Sequence, residues 1–103
     1  MIETSKTRGD ELAPIIEDVI VEIGRAERKF GLRRNHLPML WMLILGEEYG
    51  EAQKAALEAY ASEQYNNSIG LDVFHENYRE ELVQVAAMAI CAIDSFDRNE
   101  GKR

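Results

Sequence analysis

The stretch Leu43-Ile44-Leu45-Gly46-Glu47-Glu48-Tyr49-Gly50-Glu51 decides how the chain is read. An apolar helical run passes without a break into three carboxylates. At ~100° per residue, Leu40, Leu43, Ile44, Glu47, Glu51 and Lys54 share one helical face, and Glu48 lies beside Ile44 and Ala55. The leucines mark that face as the one turned toward a core, so the acids sit on the same inward side. Burying acids is costly unless something positive meets them. Two carboxylates ~5 Å apart repel by roughly 3 kcal/mol at an effective dielectric of ~20. A core stripe that ends in a knot of acids therefore needs a counter-ion, and a divalent cation is the leading candidate.

The stretch belongs to the second of three predicted helices. It opens at Leu37-Pro38, with the proline at the first turn, and runs to about Tyr60. Gly46 and Gly50 flank the acids and would let another backbone or a ligand come close. Upstream, Asp10 is the expected N-cap of a first helix, with Pro14 in its first turn. Ile15, Ile16, Val19, Ile20, Ile23, Ala26 and Phe30 then recur at helical spacing up to a stop at Phe30-Gly31. Glu17, Asp18, Glu22, Arg25 and Lys29 form its polar face, read as solvated. Downstream, Ser62 to Leu71 is a loop by composition, and Asp72 can cap a third helix running to about Asp97. Residues 10–97 thus form a single all-α domain, between tails at 1–9 and 98–103 that are expected to be disordered.

The third helix is apolar nearly all round, through Leu82, Val83, Val85, Ala86, Met88, Ala89, Ile90, Ala92, Ile93 and Phe96. A helix apolar on every side is buried on every side. Three helices in one chain can hardly cover it, which predicts a helical bundle completed by oligomerisation, as a homodimer or homotetramer. One cysteine allows no internal disulfide and suits a reducing, cytoplasmic setting. The formal charge of −7 argues against nucleic acid or an anionic membrane surface as partner. No apolar run approaches the ~20 residues needed to span a bilayer.

On the third helix, Phe74, Glu81, Val85, Met88, Ala92 and Phe96 form one stripe, with Gln84 about 60° aside. Two helices thus each carry oxygen ligands on an apolar face. If they pack antiparallel, Glu47, Glu48 and Glu51 face Glu81 and Gln84. Oxygen-only ligation suits a hard cation such as Mg²⁺ or Mn²⁺. A di-iron bundle would want Glu-x-x-His pairs, and neither His36 nor His75 follows a glutamate at that spacing. Lys54, one turn beyond Glu51, is a candidate for holding a phosphate tail, as are Lys29, Arg33, Arg34 and Arg79. Trp41 can stack on a base, or fill the core or a subunit interface.

With both motifs in view, Glu47-Glu48-Tyr49-Gly50-Glu51 followed by Glu81-Leu82-Val83-Gln84 resembles the MazG-like nucleoside triphosphate pyrophosphohydrolases. Their pattern is Glu-Glu-x-x-Glu, a spacer, then Glu-x-x-Asp. The likeness runs from about Ile20 to Phe96. It takes in Lys29-Phe30-Gly31, Trp41 and the stretch Glu80 to Ala89, which looks like the phage and integron-type branch. The resemblance implies an all-α core shared between subunits and Mg²⁺ held by the acidic motif. It also implies cleavage of an NTP or dNTP to the monophosphate and pyrophosphate, in the role of nucleotide-pool house-cleaning. Carried over by position, Glu48, Glu51 and Glu81 would be metal ligands, and Glu47 a ligand or the residue that orients the attacking water. Gln84 departs from the pattern, which has Asp there; a Gln carbonyl can ligate Mg²⁺ but brings no charge. The competing reading is a non-catalytic helical module that binds a nucleotide or a protein through a degenerate metal site. A dimeric scaffold with a salt-bridged acid cluster is a third.

Overall fold

The computed structural model describes residues 5–64 and 68–100, and the regular structure among them is entirely helical. Three helices follow in order: α1 (Arg8–Phe30), α2 (Pro38–Gln64) and α3 (Ser68–Glu100). The all-α expectation holds, with corrections at the helix ends.

α1 begins two residues earlier than Asp10. Thr7 is the N-cap: its side chain accepts from the Asp10 N–H at 3.1 Å, and the Asp10 carboxylate accepts from the Thr7 N–H at 3.1 Å. This reciprocal box satisfies two donors that a bare helix end leaves open. Pro14 consequently lies in the second turn, where it withholds an N–H from the Asp10 carbonyl. Arg8 and Gly9 are helical rather than tail, while positions 1–4 lie outside the described residues. α1 stops at Gly31, whose φ of 116° suits glycine and whose N–H reaches the Glu27 carbonyl at 2.9 Å.

α2 opens as expected, with the Leu37 carbonyl accepting from the N–H groups of Leu40 and Trp41 at 3.0 and 3.1 Å. Much of the loop expected over Ser62 to Leu71 is helical, and positions 65–67 of it lie outside the described residues. α2 continues to Gln64 and α3 begins at Ser68. Ser62 is buried at 6 % exposure, so packing extends the helix through a residue that composition assigns to a loop. At the other end α3 runs through Arg98 to Glu100 instead of fraying after Asp97. Arg98 is tied down there by Asp94 at 3.0 Å, the Asn35 side chain at 2.6 Å and the Arg34 carbonyl at 3.3 Å. Positions 101–103 of the expected tail lie outside the described residues.

α2 and α3 pack antiparallel. Trp41 at the start of α2 lies with Ala92 and Phe96 near the end of α3. At the opposite end Glu63 meets His75 at 3.0 Å. α1 packs on α3 and not on α2, so the helical layer has an open seam between α1 and α2. Val19, Ala26, Trp41, Ala87 and Met88 form the buried centre, flanked by Ile23, Ile44, Leu45 and Val83.

The phase of α2 differs from the wheel. Its inward row is Trp41, Leu45, Glu48, Ala52, Ala55, Ala59 and Ser62, whereas Leu40, Leu43, Glu47, Glu51 and Lys54 are exposed. The small residues face α3, which allows close helix packing, and the large apolar ones point away: Met39 is 71 % exposed and Leu57 64 %. Positions 46 and 50 face open space, with nothing within 4 Å of where a Cβ would stand, so neither glycine admits a neighbour within one chain.

The result is a slab of 51 × 49 × 21 Å with a radius of gyration of 17.2 Å, against roughly 13 Å for a compact 100-residue domain. Its accessible surface is 8025 Å², where a monomer of this mass exposes about 5,900 Å². Leu82, Ile90, Ile93 and Phe96 of α3 remain exposed, as three helices of one chain cannot cover it. Among the described residues no helix is long and apolar enough to cross a membrane.

Candidate metal centre

Glu48 belongs to the inward row of α2, one heptad after Trp41 and one before Ala55, and is therefore half-buried against α3. Glu51 follows at i+3, exposed at the edge of the same face. Because α3 runs the other way, its half-buried Glu81 meets this pair from across the interface. One carboxylate oxygen from each of Glu48, Glu51 and Glu81 lies within 4.8 Å of the others.

The electrostatics of this trio are unfavourable without a counter-ion. Oε2 of Glu48 and Oε2 of Glu81 are buried and accept no hydrogen bond. Such an orphaned acceptor carries its full desolvation cost. Burial raises the Glu48 pKa above the ordinary carboxylate range, and Glu51, Glu22 and Glu47 raise it further, against a smaller opposing pull from Arg25. Glu81 is raised in the same way, first by burial and then by Glu51 and Glu48, including a hydrogen bond with Glu51. Three carboxylates at this spacing, two with bare buried oxygens, fit a hard divalent cation such as Mg²⁺ or Mn²⁺ by donor type.

Glu48 and Glu51 of the trio line a cleft of about 220 Å³ in the seam between α1 and α2, whereas Glu81 is not among its lining residues. Glu22, Arg25, Lys29 and Phe30 of α1 form one wall, Glu48 and Glu51 the other, and Gln84 and Met88 of α3 line it from below. Arg25 and Glu22 are joined by two hydrogen bonds, Nε to Oε1 at 3.0 Å and Nη2 to Oε2 at 2.8 Å.

The residues expected from sequence divide clearly. Glu48, Glu51 and Glu81 come together, and Gln84 and Lys29 line the same cleft. Glu47 is exposed and outside the trio, although its charge acts on Glu48. Lys54 is exposed and does not line the cleft, because the true inward phase of α2 turns it away. Arg79 is paired with Asp18 at 2.8 Å in a separate groove with Val21, Glu22 and Glu80. Trp41 is 3 % exposed, under the Arg34 guanidinium at 5.1 Å and beside the His36 ring at 4.9 Å. It is a core residue, which fits the core-filling reading of Trp41.

Glu22 and Arg25 are the cleft residues that sequence reasoning assigned to a solvated face. A signal was present: Glu22, Ala26 and Lys29 follow at i, i+4 and i+7, and an alanine inside a charged row marks a side that meets another element. In comparison with known proteins, the chain matches no protein-family model, no curated protein and no solved structure.

Proposed function

We propose that the chain is a Mg²⁺-dependent nucleotide pyrophosphohydrolase of the MazG-like kind, cleaving an NTP or dNTP to the monophosphate and pyrophosphate. The observation that carries this reading is the convergence of Glu48, Glu51 and Glu81 within 4.8 Å, with two of their oxygens buried and unpartnered. These carboxylates hold the cation, and Gln84 lines the cleft as a neutral oxygen donor. When bound, Mg²⁺ supplies charge neutralisation of the phosphate oxygens and a water of lowered pKa. Lys29 meets the phosphate tail from the opposite wall. Glu47, exposed and next to Glu48 in the chain, would orient the attacking water.

The working form is a homodimer or homotetramer in the cytoplasm, serving to remove unwanted nucleotides. Support for assembly comes from the surface excess of about 2,100 Å² over a compact monomer. That is an area of the size obligate subunit interfaces bury. The exposed Met39, Leu40, Met42 and Leu43 on one stretch of α2 supply its apolar character.

The neutral Gln84 in the cleft favours one alternative, a module that binds the nucleotide without turning it over. Purified protein with Mg²⁺, offered a panel of canonical and modified nucleotides, separates the two. Pyrophosphate release that Glu48→Gln and Glu51→Gln abolish supports the enzyme. Binding without release from any nucleotide supports the module.

A further inference from the structure

We propose that Arg25 is a second anion-binding group of the cleft, which grips the polyphosphate tail of the ligand in its metal complex. The inference rests on reading the Glu48, Glu51 and Glu81 trio as the Mg²⁺ site. Its starting point is the asymmetry of the Glu22–Arg25 pair. An ordinary i, i+3 pair on a helix surface leaves both side chains in water and contributes little. Here the Glu22 side chain is sunk to 15 % exposure while the Arg25 side chain stays at 55 %. The carboxylate engages Nε and Nη2, which fixes the plane of the guanidinium. A guanidinium has five N–H donors, and this pair occupies two of them. Arg25 lines the cleft together with Glu48 and Glu51.

Charge balance points the same way. The trio carries up to three negative charges, so one divalent cation leaves the site negative or neutral. A triphosphate of about −4 would be repelled from such a site unless further cations line it. Arg25 and Lys29 are the cations of the cleft. Arg79 and Arg34 lie outside the cleft lining: Arg79 pairs with Asp18 at 2.8 Å, and Arg34 lies over Phe30 and Trp41 at 5.4 and 5.1 Å. Lys29 offers a point charge, whereas the planar fork of Arg25 matches two phosphate oxygens at once.

The test uses the full chain and two probes, Mg²⁺ alone and inorganic tripolyphosphate in saturating Mg²⁺, by isothermal titration calorimetry. Arg25→Gln should keep its Mg²⁺ affinity within about twofold and lose tripolyphosphate affinity by about 10- to 100-fold, the scale of a charge-assisted hydrogen bond. Arg25→Lys should lose about 3- to 10-fold, since it keeps the charge without the fork, and it reports in place of Arg25→Gln should that variant fail to fold. Variants that bind Mg²⁺ and also bind tripolyphosphate within about threefold of the parent chain overturn the assignment of Arg25 alone. A parent chain that binds no Mg²⁺ overturns the metal reading, and this inference with it.

Discussion

Replacing Glu81 with Gln should make the metal-free protein more stable and the metal-treated protein indifferent to metal. The carboxylates of Glu48, Glu51 and Glu81 lie within 4.8 Å of one another. At an effective dielectric of ~20, each fully charged pair at that distance repels by about 3.5 kcal/mol. Glu81→Gln removes both pairs that involve Glu81 and places an amide donor beside the bare oxygen of Glu48. Glu51 is exposed and the raised pKa values already leave part of the charge unformed, so solvent screening reduces the gain to about 1–2 kcal/mol. For a domain of this size, that raises Tm by roughly 4–16 °C. The parent chain should instead gain about 2.7 kcal/mol from Mg²⁺ or Mn²⁺ at 100 times its Kd. Thermal denaturation followed by circular dichroism at one protein concentration, in EDTA and in excess metal, gives all four numbers. Two opposite signs are expected: a higher Tm for the variant in EDTA, and a metal-induced rise confined to the parent chain. A variant that melts lower in EDTA, or one that keeps the full metal-induced rise, refutes the reasoning.

Other outcomes follow from the same geometry. In EDTA the parent chain should melt higher at pH 5 than at pH 7. The folded-state pKa values of Glu48 and Glu81 are raised, so their contribution is fully present below the unfolded value of about 4.3 and is lost as pH rises through the folded values; a lower Tm at pH 5 contradicts this. Leu43→Glu, on an exposed apolar stretch, should reduce the particle mass seen by size-exclusion chromatography with light scattering, and an unchanged mass excludes that face as the interface. Trp41→Ala should cost about 3–5 kcal/mol in chemical denaturation, as expected for a core aromatic. Trp41→Phe should leave nucleotide affinity within about twofold, and a large loss would restore base stacking to Trp41.

The sequence was informative where pattern and chemistry coincide. The helix count, the Phe30-Gly31 stop and the Leu37-Pro38 start were legible because each rests on a local signal. So were the pairing of Glu48 and Glu51 with Glu81 and the approach of Gln84, since antiparallel helices with acids on apolar faces leave few alternatives. The phase of α2 was not legible. A wheel weighted by large apolar residues turns Leu40 and Leu43 inward, but the structure encloses Ala52, Ala55 and Ala59 and exposes the leucines. When one face of a helix carries the large apolar residues and another the alanines, hydrophobicity alone cannot tell which of the two packs within the chain. The same ambiguity misplaced Lys54 and hid the inward turn of Glu22 and the place of Arg25 on the cleft wall, because nothing local says that α1 would stand off α2 and leave a seam. The capping role of Thr7 was missed because Asp10, its partner in the box, is itself a good cap residue.

The alanines of α2 also act at a distance. Ala52 and Ala55 share the inward row with Glu48 and touch no ligand, yet their lack of volume sets how near α2 can lie to α3. The gap between Glu48 and Glu81 is therefore gauged by side chains that are not there. A methyl group added at either alanine would act as a shim, moving Glu48 and Glu51 away from Glu81 with all three glutamates still in the chain. The spacing of the glutamates is thus a property of the smallest residues in the interface as much as of the glutamates themselves.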